Sequence, residues 1–224
     1  MSFLLKWGDE SVRVISHAEE TDLTSRYDQA FPSVWPEFNM HGDVLHPLWG
    51  RLYEEFAAFQ FVLVNDRTNA LLARGNTLPF TWDGDPAHLP EGIDALAEKG
   101  FAEREAGTAP NALSAMAAEV PAENRSKGLG TMLLKAMAGL ATAHGLTRFV
   151  APLRPTRKSR YPLTPIEDYM HWKTPDGLPF DPWMRIHVLM GAKIVRAAPR
   201  SLQITGTVAE WESWTGMPFP GNGV

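Results

Sequence analysis

The sequence predicts an α/β protein of one domain, residues 1–224. Three observations lead there. Short β-like runs alternate with stretches whose apolar residues recur at helical spacing. Hydrophobic residues are 44% and charged residues 21% of the 224, the balance of a chain that buries a core, not of a disordered one. No internal repeat, low-complexity tract or linker divides it.

Composition also excludes several function classes. With no cysteine, there is no disulfide framework, thiolate zinc site or cysteine nucleophile. Twenty-one Lys plus Arg against 26 Asp plus Glu leave a formal charge of −5, so the basic face of a nucleic-acid binder is not expected. No run of 18 apolar residues exists, and the opening MSFLLKWGDESV is too short an apolar stretch for a signal peptide. The expectation is a cytoplasmic protein with no nucleic-acid and no membrane partner. Any anionic ligand must be met by a local basic cluster.

Val12–Ile15 reads as a strand. Ser16-His17-Ala18-Glu19 has the pattern of a capping box, and Leu23, Tyr27, Ala30 and Phe31 follow at helical spacing. Pro47 suits the first turn of a second helix with the stripe Leu48, Leu52, Phe56 and Phe59. Phe61–Val64, the turn Asp66–Asn69 and Ala70–Ala73 make a hairpin. A short helix is expected around Glu91–Lys99. Residues 112–120 are alanine-rich and favour helix by propensity alone. The strongest helix is 128–144, with Leu129, Leu133, Ala136, Met137 and Leu140 on one face and Gly145 as its C-terminal glycine. Phe149-Val150 continues as a strand. A proline-rich stretch follows, then a helix near Asp181–Met190 ending at Gly191. Lys193–Arg196 and Leu202–Thr205 are expected as a final strand pair. Trp211 and Trp214, three apart, suit one face of a helix.

The segment that carries chemistry is Val120-Pro121-Ala122-Glu123-Asn124-Arg125-Ser126-Lys127-Gly128-Leu129-Gly130-Thr131. It is an extended run, then a loop with two cations, then Gly-x-Gly opening a long helix. Free amides and the positive end of the dipole at a helix start suit a phosphate. Glycines 128 and 130 let backbone approach an anion, Arg125 and Lys127 add charge, and Thr131 offers a hydroxyl. A dinucleotide fingerprint is disfavoured because Leu133 stands at its third glycine, and a P-loop because no Gly-Lys-Ser/Thr follows.

Arg125-Ser126-Lys127-Gly128-Leu129-Gly130 matches the Arg/Gln-x-x-Gly-x-Gly/Ala signature in full, after the spacing Val120-Pro121-Ala122-Glu123-Asn124. In this the chain resembles the GNAT superfamily of acetyl-CoA-dependent N-acyltransferases, over about residues 12–206. The resemblance implies a central mixed, mostly antiparallel sheet flanked by helices. It makes 112–120 the fourth strand of the core, splayed from the fifth at 149–150. It implies acetyl-CoA as co-substrate, with the pantetheine arm in the gap against Val120 and the phosphates on Arg125, Ser126, Lys127, Gly128, Leu129, Gly130 and Thr131. Two insertions, about 82–111 and 151–181, are expected on the acceptor side.

The implied activity is direct transfer of an acetyl or other short acyl group to a small-molecule amine. The other reading is an acyl-CoA-binding module without catalysis. Many family members place an acidic tyrosine four residues before the glycine ending the last main helix. Here that position is His187, able to donate a proton near neutrality. Glu119, beside Val120, is the candidate base, with Glu167 and Asp168 behind it. The run Arg154 to Leu163 is a candidate lining for the acceptor pocket. Glu167 and His171 lack a third ligand, so no metal is expected. A homodimer is left open.

Overall fold

The computed structural model describes residues 2–221. Among them six strands form one sheet in sequence order. They are β1 (Phe3–Trp7), β2 (Glu10–Ser16), β3 (Gln60–Asn65), β4 (Leu71–Phe80), β5 (Ala112–Glu119) and β6 (Arg148–Val150). Neighbours are antiparallel up to β5, and β5 pairs β6 in parallel. This is the mixed, mostly antiparallel α/β architecture the sequence implied.

Helices cover both faces. On one lies α4 (Leu129–Ala143), whose stripe Leu129, Met132, Leu133, Ala136, Met137 and Leu140 packs on Val12, Val14, Phe61, Leu63 and Ala73. Each such Leu or Met stabilises the fold by about 1.5–3 kcal/mol relative to exposure. On the other face lie α1 (Leu23–Ala30), α2 (Leu45–Glu55) and α3 (Ile93–Glu105). There Leu52 and Phe56 meet Leu78, Phe80, Leu96 and Phe101, and Leu23 and Tyr27 meet Ile15, Val62 and Val64. The first insertion thus adds α3 to this second layer, extending beyond the expected Glu91–Lys99. The second holds the short α5 (Ile166–Tyr169) and leads into α6 (Pro182–Leu189). No helix of the described residues is long and apolar enough to cross a membrane.

Two local expectations are corrected. The Ser16 hydroxyl donates to the Glu19 carboxylate (2.7 Å), yet the helix begins only at Leu23. The His17 and Ala18 amides are already spent on the Gln60 and Ala57 carbonyls, which holds this segment against the entry to β3. The final strand pair does not form. The Gln203 carbonyl accepts from the Asp43 amide (2.9 Å), and the Gln203 amide donates to Asp94 (2.8 Å). The Thr205 amide donates to Asp43 (2.9 Å). The backbone of 201–205 is therefore committed to the starts of α2 and α3. Behind it, α7 (Val208–Thr215) has a complete Thr207/Glu210 capping box. It sets Trp214 on His41 with ring centroids 4.1 Å apart.

Candidate active site

The chain leaves β5 at Glu119, passes Val120 and the buried Pro121, makes a tight turn at Ala122–Asn124 and enters α4 through Arg125–Gly128. Three side chains fix that loop. Asn124 donates to the Leu72 carbonyl (3.1 Å), the Trp7 indole donates to the Lys127 carbonyl (2.7 Å), and Lys127 donates to the Asn124 oxygen (3.1 Å). Leu129 is buried and anchors the first turn in the core. Gly128 caps the helix at φ +78°, the left-handed region that glycine occupies without strain. Ser126 stands at φ +61°, a conformation costing a non-glycine residue roughly 1–3 kcal/mol and concentrated at ligand clamps.

The result is a row of backbone donors. Met132 makes the first backbone bond of the helix, to the Gly128 carbonyl. Among the described residues the amides of 126–131 have no protein acceptor. Arg125, Ser126, Lys127 and Gly128 are exposed at this mouth, and Thr131 is half-buried in the first turn. The unpaired amides and the positive end of the α4 dipole lie at this mouth together with two cations, of which Arg125 also donates through Nε to the Val120 carbonyl (3.4 Å).

Beside the loop the sheet opens. β5 and β6 pair only at Ala112↔Arg148, Leu113↔Phe149 and Ser114↔Val150, while β5 runs on to Glu119. This is the splay implied for the fourth and fifth core strands. Within the wedge β5 bulges: its register with β4 passes from Asn76↔Ala117 to Thr77↔Ala115, leaving Met116 with no opposite residue.

Glu119 faces away from α4 and is only 2% exposed. Its carboxylate accepts from Arg74 (2.9 Å), whose second nitrogen bonds Asp28 (2.6 Å). The guanidinium lies 4.9 Å from the Tyr27 ring centroid, and the Tyr27 hydroxyl donates to the Glu119 carbonyl (3.4 Å). Burial, then the charge of Glu119, push the Tyr27 phenol well above its ordinary range. Breaking one partner of a buried pair of this kind is costly. Sequence reasoning missed Arg74 and Asp28. The signal was available: a lone arginine inside the apolar strand LLARGNTLPF.

His187 sits in the last turn of α6, half-buried, and its Nδ1 bonds the Trp183 carbonyl (2.9 Å). That bond assigns the proton to Nδ1 and leaves a lone pair on Nε2. Burial pushes the imidazole below its usual range, so it is neutral at pH 7. The His187 ring meets the Trp183 ring edge-on at 4.6 Å. Trp183 in turn lies over Gly130, where a Cβ would fall 2.9 Å from the indole. The loop at 125–130 and His187 therefore share a tryptophan. Among the described residues no hydrogen bond or ring contact joins Glu119 to His187.

The second insertion is bound to α6 by Asp181, only 1% exposed. Its carboxylate accepts from the amides of Trp183 (3.0 Å), Met184 (3.3 Å) and Arg157 (2.8 Å), and from the Tyr169 hydroxyl (3.1 Å). Tyr161, Tyr169, Trp172 and Phe180 pack around it as a small aromatic core. Trp172 is thus a packing residue of the insertion. Arg154, in the basic run, bonds the Asn39 side chain (2.8 Å).

No family model matches the chain. It is 33% identical over 199 residues to arginine N-acetyltransferase avaD of Aspergillus versicolor, a match spanning 82% of this chain and 68% of that protein. Its fold is similar to the crystal structure of the loading GNATL domain of CurA from Lyngbya majuscula, with a TM-score of 0.62 and 20% identity over 85% of this chain and 87% of that one. The second likeness concerns the fold alone. With the curated relative, the signature loop and the splayed sheet on one molecule, the chain belongs to the GNAT superfamily and is an N-acetyltransferase.

Proposed function

We propose that the protein transfers the acetyl group of acetyl-CoA to an amine by direct attack in a ternary complex. The observation that supports this most is the unpartnered amide row at 126–131, flanked by Arg125 and Lys127 and opening onto the free edge of β5. The loop and first turn of α4 hold the pyrophosphate. The β5 edge up to Val120 holds the pantetheine arm. A backbone amide of the same edge donates to the oxyanion as it forms.

The chemistry balances around one proton. The amine nitrogen forms a bond to the thioester carbonyl carbon, and the carbon–sulfur bond breaks. His187 Nε2, carrying the lone pair, takes the proton the amine loses. The imidazolium then returns that proton to the departing thiolate. One histidine thus serves as base and acid in sequence, and the acid role expected for it requires this prior protonation. Glu119 acts as base only after exchanging its bond to Arg74. In the geometry found, Glu119 is instead held by Arg74, which also bonds Asp28. The relative's name assigns it arginine, which makes arginine the first acceptor to test here.

The test is thiol release from acetyl-CoA with arginine and a panel of amines, the product identified by mass spectrometry. Amine-dependent release with one acetyl group added per thiol is expected. Tight CoA binding by calorimetry without amine-dependent release would leave an acyl-CoA-binding module.

A further inference from the structure

The peptide between Lys127 and Gly128 is the last one before the hydrogen bonds of α4 take over. The bond from the Met132 amide to the Gly128 carbonyl (3.2 Å) fixes the next peptide along, not this one. Glycine takes φ of either sign at little cost, so Gly128 would accept the 127–128 peptide either way up. What selects one orientation comes from the other end of the chain. The Trp7 indole Nε1 donates to the Lys127 carbonyl (2.7 Å) across 120 residues of sequence. The peptide is trans and planar, so its C=O and N–H point in opposite directions. With the carbonyl turned onto the indole, the Gly128 amide points away from it, into the row of free donors at 126–131. Turned over, the same peptide would put a carbonyl where that amide now stands, and Gly128 would leave φ +78° for a negative value.

Trp7 is itself firmly placed. β1 is an edge strand, and Phe3, Leu5 and Trp7, alternating along it, pack against the core that holds α4. Phe3 lies against the far end of that helix, where a Cβ on Gly139 would fall 2.9 Å from its ring. The chain turns back at Gly8, φ +58°, with Trp7 paired to Glu10. β1 thus runs beside α4 from Gly139 to the loop before Leu129, and its last side chain holds that loop. The other tethers act elsewhere. Asn124 on the Leu72 carbonyl (3.1 Å) belongs to the start of the loop, and the Lys127 ammonium on Asn124 (3.1 Å) ties a side chain. The 127–128 peptide is left to Trp7.

We propose that Trp7 is a positioning residue for the pyrophosphate of acetyl-CoA: its indole N–H holds the 127–128 peptide so that the Gly128 amide is presented to the anion. This rests on the acetyl-transfer reading and extends its binding site to a strand outside the signature. Trp7 acts through the peptide. It sets the fraction of molecules whose loop is ready to bind, and apparent affinity falls with that fraction.

The experiment compares CoA with pantetheine, the same arm without pyrophosphate and nucleotide, each titrated calorimetrically into the full chain. Trp7→Phe keeps an aromatic ring beside α4 and removes the donor. It is expected to weaken CoA by about three- to tenfold, the range one net hydrogen bond covers. Pantetheine affinity should stay within about twofold of the parent's, because that ligand does not reach the peptide. In turnover, KM for acetyl-CoA should rise by the same factor as the CoA dissociation constant at unchanged kcat. A parent that prefers CoA, with Trp7→Phe binding CoA equally well or losing both ligands equally, overturns the inference and leaves the phosphate site in place. A parent that binds CoA no better than pantetheine overturns the phosphate site and the inference together. Should Trp7→Phe not fold, NMR of the parent decides. On addition of CoA the Gly128 amide proton should move downfield as it gains a charged acceptor, and a Gly128 resonance that stays in place overturns the inference.

Discussion

Gly130 and Trp183 are in packing contact across α4 and α6: a Cβ at position 130 would lie 2.9 Å from the indole ring. The second glycine of the signature thus has a reason beyond the approach of an anion. It lets α6, and with it His187, sit against the start of α4. Alanine there forces the indole to move. The expected cost is about 1–3 kcal/mol of overpacking, offset by about 1 kcal/mol of gained helix propensity. Chemical denaturation of Gly130→Ala should show a net loss, and Trp183→Leu in the same chain should relieve it. An equal loss with and without the indole would mean that the contact does not set the requirement.

Gly128 is different. Nothing lies within 4 Å of the place a Cβ would take, and its φ is +78°. Valine would combine steric obstruction with backbone strain, since β-branched residues avoid this region. Asparagine tolerates it and adds a polar side chain at the mouth of the loop, where the Cβ position is open. Gly128→Asn should therefore keep the parent's thermal midpoint within a few degrees while weakening CoA by about tenfold or more, as expected from loss of oriented backbone donors. Parent-like calorimetry for this variant would move the phosphate site elsewhere.

What the sequence disclosed follows from how local each signal is. The β3–β4 hairpin, α4 and the glycine ends at Gly145 and Gly191 were legible because spacing and turn residues specify them within a few positions. Both glycines do take positive φ, +70° and +93°. β5 was not legible from its alanines. Its strand state follows from being sandwiched between β4 and β6, and only the signature after it marked its place. β1 was missed, although Gly8-Asp9 between two alternating runs is a hairpin signal, with Gly8 at φ +58°. The absent final strands show the limit. Asp43 and Asp94, far away in sequence, capture the backbone of 203–205, and no local pattern announces that. The same holds for the site. Arg125 to Thr131 could be read directly, whereas the Arg74–Glu119 pair and the Trp183 bridge between Gly130 and His187 arise from tertiary packing.

Asp181 carries the junction between the second insertion and α6. It caps α6 and satisfies the Arg157 amide and the Tyr169 hydroxyl with one carboxylate. Burial and Asp181 push the Tyr169 phenol up to about 12, so this hydroxyl remains a donor across the working pH range. Asp181→Ala removes a helix cap, worth about 1 kcal/mol, and strands buried donors at about 1–3 kcal/mol each. A loss of about 2 kcal/mol or more in denaturant unfolding is expected, together with early proteolysis within 151–181. Asp181→Asn keeps the cap and should lose less. An insertion as protease-resistant in Asp181→Ala as in the parent would show that its aromatic core stands without the carboxylate.

His187 gives the pH dependence its sign. Its folded-state pKa lies below the ordinary 6.5 because burial penalises the charged ring. The unfolded chain therefore binds the proton more readily than the folded one. Stability attributable to this group is complete above about pH 6.5 and is lost as pH falls toward the depressed value. Activity follows the same direction, because a protonated Nε2 cannot accept from the amine. The pH profile of kcat/KM should show an acidic limb with an apparent pKa below 6.5. His187→Gln keeps a side-chain donor for the Trp183 carbonyl but has no proton equilibrium near neutrality. Its chemical step should slow by about tenfold or more at pH 7.5, with CoA affinity near the parent's, and the acidic limb should disappear. The parent's extra loss of stability between pH 6.5 and 5 should shrink in this variant. If the limb persists unchanged in His187→Gln, the proton is carried by another group. Glu119 would be the next to test, through Glu119→Gln measured alongside Arg74→Lys to separate loss of a base from loss of the ion pair.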